Sequence, residues 1–141
     1  SGEKPVRANW KRIRFATHRD GAASLGTRCL AVADGGYYLL NANQAGEPSG
    51  WKRIRIPGKT LSGVPSINGN TAVLSCRRTG EITVLDIADP HRPVWNKARS
   101  LTVPGLPGAV GFSRNRMVIP AGYAGLYLEL FPGKEVQKKS E

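Results

Sequence analysis

Hydrophobic residues in this chain come in short runs, and none of the runs has helical spacing. "CLAVA" (29–33), "TAVLS" (71–75) and "MVIP" (117–120) are compact apolar stretches. Each is followed by a second run, "YYLLN" (37–41), "ITVLD" (82–86) or "LYLEL" (126–130). The second runs carry β-branched or aromatic residues, and Gly, Pro, Asn and Asp punctuate the boundaries, which is how strands and tight turns read. Between the paired runs lie "DGG", "RRTG" and "GYAG", read as hairpin turns in which glycine supplies positive φ angles. A further stretch, "WKRIRI" from Trp51, places Trp51, Ile54 and Ile56 against intervening basic residues, as an outer strand with one wet face would.

The pattern repeats. "WKRIR" occurs at Trp10 and again at Trp51, and Trp95 opens "WNKARSLTVPG" in a third copy. With the copies aligned, Cys29, Ala72 and Met117 correspond, as do Tyr37, Ile82 and Leu126, and then Leu39, Val84 and Leu128. Each unit, of about 42 residues, offers four strands: a Gly-rich strand, the two apolar runs and the Trp-Lys-Arg strand. That is the content of one β-propeller blade, so the expected architecture is all-β, with three blades of four antiparallel strands over 1–133. A charged flexible tail is expected at 134–141, "KEVQKKSE".

At "GEITVLDIADPHRPV" the repeat resembles the LVIVD-type propeller repeat, with Ile82, Val84, Asp86, Pro90 and Pro93 at its marked positions. "VADGGYYLLNANQAGEP" is similar, with Asn41 in place of the acid, and "IPAGYAGLYLELFPG" keeps Gly125-Leu126 but has Leu130 there. The resemblance implies a propeller and is nearly silent on function. In that arrangement "WKRIR" recurs because it forms the outermost strand of successive blades. The chain then ends at Leu130 with a third strand lacking its outer partner. Three blades leave raw sheet edges. The ring is therefore expected to close with a second copy, each Trp10 strand completing the other copy's last blade, or with another polypeptide that supplies the missing blades.

Charge narrows the partners. Twenty-one Lys and Arg against ten acids give a formal net charge of +11, which favours anionic ligands. No nucleic-acid motif accompanies the charge, so nucleic-acid binding rests on charge alone. Cys29 and Cys76 are the only cysteines and read as small buried hydrophobes rather than a disulfide framework. No metal-ligand spacing, phosphate loop or nucleophile elbow occurs, and no cofactor is expected. No stretch is long and apolar enough to span a membrane.

Candidate chemistry gathers where propeller connections and middle hairpins meet: segments 15–23, 57–62 and 104–107 with hairpins 34–36, 77–80 and 122–125. There His18 and Tyr123 are the candidate proton-transfer residues, and Arg19, Asp20, Lys59, Arg77 and Arg78 the candidate ligand-binding residues. His91, in "DPHRP", is expected to face solvent. The reading is a non-catalytic binding or assembly module for a protein or an anionic glycan. The alternative is a hydrolase or lyase acting on an anionic polysaccharide. An extracytoplasmic setting, periplasmic or secreted, follows from the resemblance.

Overall fold

The computed structural model describes residues 19–25, 28–41, 53–130 and 136–139. The chain is all-β, with three antiparallel sheets, none of them closed. The first sheet runs in chain order through β1 (Arg19–Leu25), β2 (Arg28–Ala33), β3 (Gly36–Asn41) and β4 (Arg53–Ile54). The second comprises β5 (Val64–Asn68), β6 (Thr71–Ser75), β7 (Glu81–Asp86) and two short segments, β8 (Val94–Trp95) and β9 (Leu101–Thr102), which both pair with β7. The third comprises β10 (Gly111–Ser113), β11 (Arg116–Pro120), β12 (Leu126–Glu129) and β13 (Val136–Lys139). A one-turn 3-10 helix, Gly122–Ala124, joins β11 to β12.

The repeat seen in the sequence is written into the strand pairing. Leu30 pairs with Leu39, Val73 with Val84, and Val118 with Leu128. Two residues along, Val32 pairs with Tyr37, Ser75 with Ile82, and Pro120 with Leu126. The register is therefore the same in all three sheets. Because side chains alternate between sheet faces, a slip of one residue in any copy would exchange its faces. The first of these hairpins turns at Asp34 and Gly35 (φ 54° and 79°), the paired positive angles that a two-residue Asp-Gly turn adopts.

Alternation also explains why the runs of the second unit carry apolar residues at successive positions, Ala72 to Leu74 and Val84 to Leu85. On one face of the second sheet, Ala72, Leu74 and Leu85 join Leu30, Val32 and Tyr37 of the first sheet in one core. On the opposite face, Val73, Ile82 and Val84 join Met117 and Ile119 of the third sheet in another. The middle sheet is thus buried on both sides, and strands in that situation need apolar residues at odd and even positions alike.

The connections between sheets repeat too. Leu61 donates its N–H to the Gly35 carbonyl at 3.0 Å, and Val103 donates to the Gly80 carbonyl at 2.9 Å. Both Leu61 and Val103 are buried. Two residues on, Gly63 (φ 111°) and Gly105 (φ 85°) lie against the backbone of the next hairpin. A Cβ on Gly63 would lie 2.6 Å from the Ser75 carbonyl oxygen, and one on Gly105 would lie 2.3 Å from that of Ala121. Each connection is wedged between the hairpin of the sheet it leaves and that of the sheet it enters.

Two expectations need correction. The sequence predicts a flexible tail at 134–141 and a third sheet that lacks its outer strand. Instead β13 pairs with β12, Leu126 opposite Lys139 and Glu129 opposite Val136. An open strand edge offers unpaired backbone groups, and a polar segment can satisfy them because pairing uses the main chain. The third sheet therefore does not need a strand from another chain at this edge. The second correction concerns the strand expected at Trp95, which is split in two. At the split, Ser100 Oγ accepts from the Val84 N–H (2.9 Å) and from Trp95 Nε1 (3.1 Å), replacing a ladder partner.

The split carries Arg99 out of the sheet to Glu129, which is 1% exposed on β12. Arg99 Nη2 donates to Glu129 Oε1 at 2.7 Å and Nε to Oε2 at 3.0 Å, a two-point pair between sheets. Glu129 Oε1 also accepts from the Met117 N–H at 3.1 Å, and Arg99 Nη2 donates to the Asn115 carbonyl at 2.9 Å.

Two stability measurements check these contacts. Gly63→Ala is expected to cost more than about 2 kcal/mol, since the new Cβ meets backbone at a positive φ. Glu129→Ala is expected to cost about 3 kcal/mol by stranding a guanidinium against the third sheet, with Arg99→Met/Glu129→Leu recovering most of the loss. Urea midpoints at constant slope measure both. A Glu129→Ala midpoint equal to wild type would mean that the pair does not clamp the sheets.

Candidate functional site

In a four-stranded meander the second hairpin and the exit of the fourth strand lie at the same end of the sheet. The β2–β3 and β6–β7 hairpins therefore share one end with the connection from β4 to β5. Between them opens a pocket of about 410 Å3, lined by Asp34, residues 60–64 and Ser75 to Arg78. It is formed from one hairpin of the first sheet, one of the second and the segment wedged between them. A smaller pocket of about 330 Å3 lies at the opposite end, beside Asn68, Arg99 and Asn115, where Arg99 is already committed to Glu129.

Of the residues singled out in the sequence, Arg77 and Arg78 fall at this pocket, both exposed on the β6–β7 hairpin. Among the described residues neither takes part in an ion pair. On the first sheet, Arg53 Nη1 and Arg55 Nη2 donate to the Asp34 carbonyl at 3.3 and 3.4 Å, bringing two more guanidinium groups to the β2–β3 hairpin. Asp34 contributes the pocket's acidic side chain.

Lys59 is placed differently. It pairs with Glu81 and lies 4.8 Å from the centroid of the Trp95 ring, its side chain largely buried. Lys97 sits 5.0 Å from the same ring. Lys59 thus ties the first connection to the second sheet, and much of its charge is neutralised by Glu81. Tyr123, 88% exposed, is on the β11–β12 hairpin and does not line the pocket. His18 lies outside the described residues, and Arg19 and Asp20 are described only as backbone positions at the start of β1, where the pairing register shifts past Asp20. His91 is exposed in a turn where the Asp89 carboxylate accepts its N–H at 3.1 Å. Among the described residues no three His, Cys, Asp or Glu side chains come together as a metal site. Nor is any helix there long and apolar enough to cross a membrane.

The sequence predicts a small buried hydrophobe at Cys76. It is buried, as expected, but it also belongs to the pocket wall. Burial pushes its thiol up from the ordinary value. Hydrogen bonds from the Thr79 and Ser62 side chains and from the Thr79 and Arg78 backbone outweigh that effect and leave it lowered. The signal was present in "CRRTG": a residue opening a turn receives the N–H groups of the turn that follows. Here the Gly80 N–H closes the turn on the Cys76 carbonyl at 2.8 Å. Tyr37 shows the opposite balance. Burial first, and then the nearby Asp89 charge, push its phenol up, while its hydroxyl donates to the Pro90 carbonyl.

No protein-family model and no curated protein matches the sequence, so the LVIVD-type resemblance rests on the residues alone. Among solved structures the chain is similar to the crystal structure of the computationally designed Ika4 protein. The TM-score is 0.61 at 14% identity, over 91% of this chain and 75% of that one. A likeness at that identity concerns the fold and carries no activity with it.

The thiol balance can be measured. A group whose folded pKa lies below its unfolded value adds stability as pH rises between the two, because the unfolded chain there holds the extra proton. Wild type is therefore expected to gain on Cys76→Ala as pH climbs from neutral through the ordinary thiol value of 9.0. Thr79→Val is expected to shrink the gain. Urea midpoints at neutral pH and above that value supply the comparison, and a pH-independent difference would mean that the thiol stays neutral.

Proposed function

We propose that this protein is a non-catalytic, propeller-type binding module that recognises an anionic glycan at the pocket between its first two sheets. In this reading the three sheets are successive blades. The observation that carries it is the pairing of Arg77 and Arg78, exposed and free of ion pairs among the described residues, with a pocket that also presents hydroxyls and a carboxylate. Guanidinium groups suit sulfate and carboxylate because their donors match such anions two at a time. Asp34 and the Thr60 and Ser62 hydroxyls suit a ligand that also carries hydroxyl groups. A sugar acid or sulfated sugar offers both anionic groups and hydroxyls. The formal charge of +11 would draw such a polymer in from a distance.

Catalysis on the same glycan finds less support. Of the two proton-transfer candidates, His18 lies outside the described residues and Tyr123 is not part of the pocket, while Lys59, a ligand-binding candidate, is engaged with Glu81.

Calorimetric titration with a sulfated uronate oligosaccharide, a neutral oligosaccharide of equal length and a DNA duplex tests the reading. The sulfated sugar is expected to bind and the neutral one not to. Arg77→Ala/Arg78→Ala is expected to weaken binding by at least about tenfold, given what charge-assisted hydrogen bonds contribute. Lys59→Ala is expected to change affinity little. Equal affinity for DNA together with an indifferent double variant would leave only non-specific charge, and the reading would fail.

A further inference from the structure

Among the described residues, the third sheet has one face without a covering sheet, and the rest of the chain says what belongs there. Strand pairing makes Val118, Pro120, Leu126 and Leu128 the counterparts of Val73, Ser75, Ile82 and Val84 in the second sheet. In the second sheet these four positions are between 0% and 2% exposed, because the third sheet lies on them. In the third sheet Leu126 is 39% exposed, Pro120 is exposed, and Val118 and Leu128 are half-buried. The patch continues onto the adjoining loops: Tyr123 is 88% exposed and Leu106 46%, the latter in a segment that packs against Gly122 of the same hairpin. Three of the five exposed large hydrophobic side chains of the described residues thus lie on this one sheet and its loops. An apolar patch of this kind marks an interaction surface.

Its counterpart inside the chain is covered by paired residues of the next sheet, Ile119 opposite Tyr127. The same register positions in the first sheet hold Ala31, 1% exposed, opposite the half-buried Tyr38, on the side of that sheet away from Leu30, Val32 and Tyr37. We infer that the exposed face of the third sheet is covered by the first sheet of a second copy of this chain. Two copies then stack head to tail through both ends, continuing the sheet-on-sheet contact each copy already makes twice. The inference rests on reading the sheets as successive blades, but not on any ligand. It replaces strand exchange as the means of closure, since β13 already completes the third sheet. Contacts in which one face meets a different face either close or grow without limit, and here two copies close.

Light scattering with size exclusion on the full chain, at several concentrations and at low and physiological ionic strength, tests it. The expected mass is that of two chains, with association strengthening as salt screens the repulsion between two basic copies. Leu126→Asp, at a partly exposed position that should leave the fold intact, is expected to weaken association at least tenfold. Tyr38→Asp is expected to do the same from the other side of the contact. Val94→Asp, at an exposed apolar residue on the second sheet, is expected to leave the mass unchanged. Urea midpoints check that each variant is folded. A single-chain mass for the wild type at every concentration, a mass that grows without limit, a dimer that survives either Leu126→Asp or Tyr38→Asp, or one that Val94→Asp also breaks would each overturn the inference. The glycan titration reads the pocket separately, so a monomer that still binds the sulfated sugar would overturn the pairing and leave the ligand reading standing.

Discussion

Everything in this molecule depends on how each connection is caught between two hairpins. A backbone hydrogen bond to the hairpin behind, from Leu61 to Gly35 and again from Val103 to Gly80, fixes where the chain leaves one sheet. A glycine two residues later, pressed against the hairpin ahead, fixes where it enters the next. Sheets packed by apolar contact alone could slide, because such contacts have no direction. The wedged connection supplies the missing direction. It also explains the buried leucine and valine that precede these glycines, which fill the space between the hairpins.

The polar ties add a second level of specification. Arg99 and Glu129 reach between the second and third sheets, and Lys59 reaches from the first connection to Glu81 and the face of Trp95. A buried pair such as Arg99 with Glu129 contributes less to stability than to the cost of any other arrangement, since a misplaced sheet would leave a charge stranded in an apolar layer. The Tyr37 hydroxyl on the Pro90 carbonyl does similar work between the first sheet and the turn after β7.

Much of the fold was legible because it is periodic. The alignment of Tyr37 with Ile82 and Leu126 reappears as strand register, and the three hairpins fall where glycine and aspartate mark them. What escaped the sequence reading lacks period. The pairing of β13 relies on main-chain groups, so the polar composition of Val136–Lys139 gave no sign of it. The divided strand at Trp95 depends on one serine hydroxyl replacing a ladder partner. Glu129 stood one residue before the position where the repeat would carry an acid, and only the fold makes it the partner of Arg99. At the candidate site, Arg77 and Arg78 could be found because a charged pair at a turn is visible in the sequence. The role of Cys76 depends on Ser62, fourteen positions away in the chain and beside it in space.

The three hairpins between apolar runs differ in length, yet the strands on either side keep one register. The repeating frame is thus indifferent to what its tips contain. One copy can carry a tight Asp-Gly turn, another an arginine pair next to a cysteine in the chain, and a third a short helical turn bearing an exposed tyrosine. Such a frame separates the part of the unit that must be copied faithfully from the part that can diverge. Repetition then supplies several independently variable tips on a frame whose strand register stays fixed.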